Sequence, residues 1–419
     1  MGKKTIACLC RKIGWELEKI PQYIEENEKK EACRLKRLKL NLKSIETNID
    51  GVGAKYALDQ IKKLDLPDEP FIQATVAYLK GKCYYKKENW SKARNHYFQA
   101  IHLYDAHPEI DYSNLKSACL YELARVYYRQ NEFEYALKTA RQGLKVFHPE
   151  GERKYYKYHL LISEAIYLDS LGFCVEAMKA VEKMWANQVE IETETLLNMY
   201  SLQAILYNKL KMYQEAIKVI NPAIDIARRE KQFDHCFELW TTLGVSYKNL
   251  GHPDMAKTCF YTASNLKHKI RKKFLLPAYN FTESGKLFLS EGNPDKAKEL
   301  LVEAVKLSKK ANDRLRQLDA QVALGDCCLR LDQFRDAVQQ FEEASEMAKK
   351  LSFLDQECSI VLKLAQCYED RDSVKYNKYY ARFYQLSVKL LHGGEKSMWQ
   401  NPSSLQKSEK EFQPDPPDG

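Results

Sequence analysis

The sequence contains none of the short motifs that mark the commonest enzyme chemistries. It has no G-x4-G-K-[ST], G-x-G-x2-G, H-E-x2-H or G-x-S-x-G pattern, which excludes the usual forms of phosphate loop, dinucleotide fold, zinc-protease site and nucleophile elbow. The nine histidines are scattered without a converging set. We therefore predict that the protein is not an enzyme, has no catalytic or metal-binding residues and uses no cofactor.

Cysteines are numerous, but metal-site spacing is missing. The twelve cysteines include no C-x2-C pair, which the common zinc sites contain. Cys83, Cys327 and Cys367 instead share one position of the repeat described below, as small buried hydrophobic residues do. This usage predicts a reducing compartment, hence the cytoplasm.

Long apolar runs and helix breakers are also scarce. No stretch approaches the ~18 apolar residues of a membrane span, and the apolar run Ile6–Cys10 is too short for a signal peptide. We therefore predict no membrane association. Few glycines (16) and prolines (13) favour a chain made mostly of helix. The net charge of +9 is spread along the chain and indicates a solvated helical surface rather than a nucleic-acid-binding face.

The clearest positive pattern is a helical hairpin at 239–270. The run W-x2-L-G-x2-Y at Trp240–Tyr247 is followed, after a Gly- and Pro-containing turn, by Ala256 and Phe260 at helical spacing. This order is typical of a tetratricopeptide repeat. Gly244 and Ala256 are small, which lets the helix backbones approach, and Phe260 fills the space around them. One such hairpin cannot bury its apolar face alone, so it requires neighbours.

Seven further hairpins share this register. The residues that correspond to Gly244 are Gly81, Ala124, Ala165, Ala204, Gly285, Gly325 and Ala365. They are spaced from 39 residues (204 − 165) to 43 residues (124 − 81) apart, a longer period than the usual 34. Twelve residues after the small residue, an alanine recurs in seven units: Ala93, Ala136, Ala177, Ala216, Ala256, Ala297 and Ala337. The predicted fold is all-α, a right-handed superhelical solenoid of about eight tetratricopeptide helix pairs plus an N-terminal capping pair.

The repeats divide the chain into four predicted segments. These are a short head at 1–30, a degenerate capping helix pair at 31–70, the solenoid at 71–391 and a disordered tail at 392–419. The predicted helix pairs are 71–88/90–105, 112–130/132–147, 153–171/173–186, 192–210/212–230, 233–250/253–270, 273–291/294–310, 313–331/333–350 and 353–370/373–391.

The first helix of each pair is expected to line a concave groove. Residues three before, one after and four after the small residue are expected to face it. The peptide-binding candidates at these positions are Tyr78, Lys82, Tyr85, Tyr121, Arg125, Tyr128, Asn208 and Lys248. Tyrosines interleaved with basic residues suit an extended peptide carrying a carboxylate, which arginine binds bidentately. Asn208 offers a peptide backbone both a donor and an acceptor. For each tyrosine, ordinary packing between repeats is the alternative.

Three features carry a family resemblance: the long repeats, the aromatic helix that closes them, and the runs LWTTLGVSYKNLG, LGDCCLRLDQF and YYARFYQLSVKL. In these features the chain resembles the peptide-sensing tetratricopeptide regulators of Gram-positive bacteria, which include PlcR, NprR and the Rap proteins. The resemblance covers about 50–391. It implies that a short signalling peptide, secreted and re-imported, binds the concave face. Binding would then shift the superhelix or its oligomer and change its action on DNA or on a response regulator.

The N-terminus departs from that pattern. Transcription-factor members carry a helix-turn-helix domain ahead of the repeats, and residues 1–30 show no such motif. Nucleic-acid binding through this chain alone is therefore not predicted. Residues 1–65 show no residue-level match to the three-helix head with which the Rap members hold a response regulator.

Three hypotheses for function follow. The leading one is an intracellular peptide-binding regulator of the quorum-sensing type that acts through a protein partner, such as a response regulator or transcription factor, with homodimer formation left open. The second is a generic tetratricopeptide scaffold for protein–protein interaction. The third is a DNA-binding regulator that uses the basic run at 34–43; its affinity for a duplex would fall steeply with salt.

Overall fold

The computed structural model describes residues 12, 14, 19–107, 113–185 and 191–393, and all regular structure within them is helical. The first nine helices are α1 (Ile20–Gly51), α2 (Ala54–Lys62), α3 (Pro70–Lys86), α4 (Trp90–Ala106), α5 (Leu115–Arg129), α6 (Phe133–Lys145), α7 (Tyr156–Ser170), α8 (Cys174–Trp185) and α9 (Thr193–Lys209). The others are α10 (Tyr213–Arg229), α11 (Phe233–Asn249), α12 (Pro253–Asn265), α13 (Leu275–Ser290), α14 (Pro294–Ala311), α15 (Arg314–Arg330), α16 (Phe334–Lys350), α17 (Leu354–Tyr368) and α18 (Ser373–Gly393). Within these ranges, no helix has the length and apolar character needed to cross a membrane.

Eight consecutive helix pairs, from α3/α4 to α17/α18, match the predicted pairs. Their bounds agree with the prediction to within three residues, except that α12 ends at Asn265 instead of 270. Turns between paired helices pass through residues with positive φ, such as Gly251 (φ 80°) and Asn131 (φ 62°). These residue types adopt that conformation at little cost. The prediction of an all-α chain of tetratricopeptide hairpins is confirmed.

The helices group into two compact units, residues 1–202 and 203–419, and the boundary falls within α9. The first unit has a core in which Tyr78, Tyr97 and Tyr104 are almost fully buried. The second unit contains several smaller cores, the largest of them around Phe341 and Leu301. All seven recurring alanines are fully buried, as their register predicts.

Glycine at the small position of the repeat makes room for a bulky side chain sixteen residues later. A Cβ on Gly244 would lie 2.5 Å from Cε1 of Phe260, far inside van der Waals contact. The same relation holds in three other repeats, where the facing pairs are Gly81 with Tyr97, Gly285 with Leu301, and Gly325 with Phe341. The prediction that Gly244 must be small is confirmed, and its reason is close contact with a side chain.

The N-terminal segment differs from its predicted division. Residues 20–51 form one helix, α1, so the expected boundary between head and capping pair at 30/31 falls inside a helix. No glycine or proline lies between Pro21 and Gly51 to interrupt it. Leu38, Leu42, Ile45 and Ile49 are the buried residues of α1. Most of the predicted head before Lys19 and the predicted tail from 394 lie outside the described residues.

The cysteines at the shared repeat position are buried, as predicted for small hydrophobic residues. Cys83, Cys327 and Cys367 are at most 8% exposed. The ten cysteines within the described ranges are all free thiols. Those ranges also hold no group of three or more His, Cys, Asp or Glu placed to bind a metal ion.

Candidate functional site

In the first unit, the first helices of consecutive pairs surround a cavity of about 780 Å³. Lining residues come from α1, α3, α5 and α7, from the residue just before α7 and from the beginning of α9. Helix α3 contacts α1 and α5, and α5 contacts α7, so the walls follow one another in chain order. The volume lies within the roughly 300–1,000 Å³ of small-ligand sites.

The wall formed by α1 and α3 carries charges of both signs. Lys82 Nζ lies 3.3 Å from Glu46 Oε1 and 3.5 Å from Asp50 Oδ2, and Lys86 Nζ lies 3.1 Å from Asp50 Oδ1. Burial acts to lower the pKa of Lys82, but the carboxylates of Glu122, Glu46 and Asp50 raise it above its usual value. Lys82 is therefore a charged group at neutral pH.

A network of hydroxyl and carboxylate groups beneath the cavity joins α1, α3 and α7. The Tyr78 hydroxyl donates to Glu46 Oε1 at 2.9 Å and lies 2.6 Å from the Tyr156 hydroxyl. Because the proton of Tyr78 is engaged by Glu46, Tyr156 acts as donor in the second bond. Burial raises the pKa of both tyrosines well above its usual value. The network thus ties the long N-terminal helix to the first repeats.

Arg125 stands on α5, the middle wall. Its Nη1 donates to Glu122 Oε2 at 2.7 Å, and its guanidinium carbon lies 4.5 Å from the ring centroid of Tyr85 and 5.4 Å from that of Tyr121. Burial acts to lower the pKa of Arg125, but Glu122 and the neighbouring tyrosines raise it well above its usual value. With 36% of its side chain exposed, Arg125 can offer its remaining N–H groups to a carboxylate or carbonyl.

The wall on the α7 side is aromatic. The ring centroid of Tyr121 is 5.4 Å from those of both Tyr156 and His159, and Tyr155 lies 4.7 Å from Tyr156 and 5.5 Å from His159. Nδ1 of His159 is buried and has no hydrogen-bond partner within the described part of the chain. Burial lowers the pKa of His159 against the opposing effect of nearby carboxylates. The imidazole is therefore neutral at neutral pH.

Asn114 holds the loop that carries this aromatic wall. Asn114 is fully buried, with φ 54°. Its Nδ2 donates to the carbonyls of His148 (2.9 Å) and Glu152 (2.7 Å), and its Oδ1 accepts from the His148 N–H (2.7 Å). Both polar groups of its side chain are engaged, so the backbone just before Tyr155 is fixed relative to α5.

Five of the eight predicted site residues come together at this cavity. Lys82, Tyr85, Tyr121 and Arg125 line it, and Tyr78 lies in the network beneath it. Tyr78 is fully buried, so it supports the site without presenting a surface to it. The expectation that the position three before the small residue faces the groove is therefore wrong for most repeats. The equivalent residues Ile162, Ser201, Thr241 and Thr282 are also buried.

The other three predicted residues lie elsewhere. Tyr128 packs its ring against Phe133 and Tyr167, with centroids 5.5 and 5.2 Å away, and is not among the lining residues. Asn208 and Lys248 belong to the second unit. Lys248 forms a close ion pair with Glu283. The side chain of Asn208 donates to the Thr242 carbonyl at 3.4 Å, while its Oδ1 is buried without a partner in the described ranges.

Sequence reasoning missed the acidic half of the site. Glu46 and Asp50 lie on α1, which was expected only to cap the solenoid, and Tyr155 and His159 lie outside the three groove positions. Glu122 carried a detectable signal. It occurs two residues before a small residue and three before a basic residue, as Glu283 does before Lys286. Both glutamates are buried and accept a hydrogen bond from that basic residue.

The repeat architecture has known relatives. Two tetratricopeptide repeat models match the chain, at residues 278–350 and 237–267. No curated protein matches it by sequence. Among solved structures, a Rap protein complexed with competence and sporulation factor is 12% identical, with TM-score 0.56 over 85% of this chain and 99% of that chain.

Two further solved structures are similar in extent. The apo form of RapI is 12% identical, with TM-score 0.53 over 85% of this chain and 99% of its own. NprR in complex with its cognate peptide NprX is 17% identical, with TM-score 0.51 over 78% of this chain and 96% of its own. At these identities the likeness shows a shared fold. The predicted resemblance to the peptide-sensing tetratricopeptide regulators is thus confirmed at the level of fold.

Proposed function

We propose that this chain is an intracellular peptide-binding regulatory protein of the quorum-sensing type. It binds a short signalling peptide in the cavity of the first unit and thereby controls a partner protein, such as a response regulator or a transcription factor. The observation that carries the proposal is the make-up of the cavity, in which tyrosine rings stand beside charged groups of both signs.

Each kind of lining group has a use in binding a peptide. Arg125 has N–H groups left for a carboxylate or backbone carbonyls. The half-buried rings of Tyr85 and Tyr121 offer apolar surface with a hydroxyl at one end, which suits side chains of mixed character.

The charge balance of the cavity favours the same class of ligand. Four basic residues, Lys43, Lys82, Lys86 and Arg125, face four acidic ones, Glu46, Asp50, Glu122 and Glu194. A site without net charge suits a zwitterionic peptide. It does not suit a nucleic acid, whose phosphates require an excess of Lys and Arg. The charge balance of the cavity thus supports the peptide-binding hypothesis.

The structural relatives support the same reading. The Rap structure contains competence and sporulation factor, and the NprR structure contains its cognate peptide NprX. Both share the helical hairpin fold with this chain. By analogy with these two structures, we propose that a peptide bound to this chain controls the action of a protein partner.

The test is thermal unfolding of the purified protein with short synthetic peptides taken from small exported reading frames beside its gene. A ligand that binds the folded state raises the melting temperature in a dose-dependent way. We expect one peptide to do so and its scrambled version to have no effect. Arg125→Ala should weaken the response by about tenfold or more in apparent affinity, because it removes charge-assisted hydrogen bonds.

The matched control is Arg141→Ala. Arg141 also pairs with a glutamate, Glu164 at 2.7 Å, but lies outside the cavity. This variant should respond to the peptide as the wild type does. A peptide that binds equally well to the Arg125→Ala variant would move the site away from this cavity. No response to any peptide would favour the scaffold hypothesis, to be pursued by identifying protein partners.

A further inference from the structure

The junctions between consecutive repeats of the second unit are rich in basic residues. Four of these junctions join the end of a second helix (α10, α12, α14 or α16) to the first helix of the next repeat, at 226–232, 266–274, 308–313 and 347–353. Together they contain twelve Lys or Arg and only two Asp or Glu. This excess of ten positive charges accounts for the whole net charge of +9. The charge that is spread along the sequence is therefore concentrated at these junctions.

The fold places the four junctions along one edge of the second unit. The first helices α11, α13 and α15 contact one another in order, so the hairpins stack in the same orientation and their second helices end on the same side. The Lys310 ammonium lies 5.7 Å from the ring centroid of Phe274, which makes the second and third junctions direct neighbours. Since packed helices lie about 8–10 Å apart, four junctions in a row extend over roughly 30 Å. We call this line of junctions the basic edge.

Helix dipoles explain only part of the charge on the basic edge. Basic residues in the last turn of a helix are stabilised by its negative end, and α10, α14 and α16 each have two of them there. Helix α12 has none in its last turn. Its junction instead carries five basic residues within the loop 266–274, after the helix has ended. Because the dipole effect is confined to the last turn, it does not account for this loop.

The loop 266–274 has a fixed backbone. Ile270 is 2% exposed and packs into a small core of the second unit. The buried carboxylate of Asp234, on α11, accepts hydrogen bonds from the backbone N–H groups of Arg271 at 2.6 Å and Lys272 at 3.5 Å. The loop therefore presents its remaining side chains to solvent from a defined position.

Four lysines of this loop are exposed and uncommitted. Within the described residues, no ion pair or hydrogen bond is made by the side chains of Lys267, Lys269, Lys272 and Lys273. By contrast, Lys286 of the same unit lies 2.7 Å from Asp319 Oδ2. No Asp or Glu occurs between Met255 and Thr282, so the loop has no acidic neighbour in sequence. These lysines are available to an external anion.

The length of the basic edge indicates the kind of anion. A compact acidic surface on a protein would match one junction, whereas a line of charge across four junctions matches an extended polyanion. A DNA duplex carries about one phosphate charge per 1.7 Å of its axis, so roughly 30 Å of edge faces about one helical turn of duplex. Lysine binds phosphate as a point charge and does not read the bases.

We propose that the basic edge binds the phosphate backbone of duplex DNA without sequence preference. This site differs from the run at 34–43, which lies on α1 in the first unit, and from the cavity. Sequence reasoning did not predict it because the four junctions lie far apart along the chain. The inference goes beyond the proposed function and does not depend on it.

The experiment measures binding of the full-length protein to a fluorescein-labelled duplex of arbitrary sequence by fluorescence anisotropy. The duplex is about 24 base pairs long, and the salt concentration runs from roughly 25 to 200 mM. We expect the logarithm of the association constant to fall linearly with the logarithm of the salt concentration. The slope reports the number of phosphates neutralised, at about 0.9 per phosphate.

Two variants with the same change in net charge locate the site. The loop variant combines Lys267→Gln, Lys269→Gln, Lys272→Gln and Lys273→Gln. It should reduce the slope by about 2–4 and weaken binding at the lowest salt by about tenfold or more. The control variant replaces four exposed lysines of the first unit with glutamine: Lys55, Lys62, Lys87 and Lys179. It should keep the wild-type slope, and both variants should keep the wild-type melting temperature.

Several results would overturn this inference. Absence of duplex binding by the wild type at the lowest salt would do so, and so would equal slopes in the loop and control variants, since net charge alone would then account for binding. Polyglutamate that binds as tightly as the duplex would reassign the basic edge to an acidic protein segment. Tighter binding to phosphatidylglycerol vesicles would reassign it to anionic lipid. None of these results involves the cavity, so the proposed peptide-binding function is tested separately.

Discussion

Replacing Gly244 with leucine should destabilise the α11/α12 hairpin, because the ring of Phe260 occupies the space that a side chain would enter. A Cβ at this position would lie 2.5 Å from Cε1 and 2.7 Å from Cδ1 of that ring. Phe260 is 4% exposed, so it has little room to retreat. The new side chain and the ring would therefore compete for one volume.

The magnitude follows from two opposing effects. Overpacking a core costs about 1–3 kcal/mol and sometimes more, while replacing glycine by a better helix former recovers at most about 1 kcal/mol. We expect a net loss of about 2 kcal/mol for Gly244→Leu. Phe260→Ala alone should cost about 3–5 kcal/mol by leaving a cavity. In the double variant the leucine fills the space left by the ring, so the loss should be smaller than the sum by about 1–3 kcal/mol.

The assay is thermal unfolding combined with hydrogen exchange measured by mass spectrometry. Each repeat contacts mainly its neighbours, so loss of amide protection should concentrate in α11, α12 and the adjoining helices and spare α3. The control is Gly51→Ala at the end of α1, where a Cβ meets nothing within 4 Å; it should be neutral or slightly stabilising. The packing argument would be refuted if the Gly244→Leu variant unfolded as the wild type does and the losses of stability in the double variant were strictly additive.

Lowering the pH should weaken the second unit through Glu283. Burial acts to raise the pKa of this group, but Lys286 and Lys248 lower it from 4.5 to about 2, so its contribution is present above pH 4.5 and lost as the pH falls toward 2. In acid titrations followed by circular dichroism, the Glu283→Gln variant should lack this transition. Its free energy of unfolding at neutral pH should be about 3–5 kcal/mol lower than that of the wild type, because a buried positive charge loses its carboxylate partner. Asn114→Ala should lower the free energy of unfolding by about 1–3 kcal/mol, because it leaves buried backbone groups of the loop before α7 unpaired. An unchanged denaturation midpoint would show that Asn114 does not hold that loop in place. Asn208→Ala should leave stability within about 0.5 kcal/mol of the wild type and, because Asn208 does not line the cavity, should leave the peptide-induced rise in melting temperature unchanged; a weaker response than that of the wild type would show that the peptide reaches Asn208.

The repeat register was accessible from sequence because packing repeats with the chain. Small residues about forty positions apart and alanines twelve residues later mark where helices cross, and the structure buries them accordingly. The sequence carries a second regularity at this position. Where the small residue is glycine, the residue sixteen positions later is Tyr97, Phe260, Leu301 or Phe341, whereas Ala124, Ala165, Ala204 and Ala365 are followed by Ala140, Val181, Ile220 and Ala381.

The position of groove-facing residues was only partly predictable. The spacing of Lys82, Tyr85 and Arg125 on their helices placed them correctly on the cavity side. It could not show that Tyr78 is covered from one side by α1 and reached from the other by Tyr156, a residue 78 positions later. Whether a side chain is exposed depends on what the next repeats bring against it, and helical periodicity describes only one helix at a time.

By itself, then, the sequence determined the fold class, the number and bounds of the hairpins and the residues that hold them together, because these depend on local periodicity repeated along the chain. Tertiary structure alone decided which charges meet. Glu46 lies in the segment predicted to cap the solenoid and His159 is one of nine scattered histidines, yet both line one cavity with Arg125. Ion pairing and burial depend on distances between helices, and residues far apart in sequence acquire those distances only when the repeats stack.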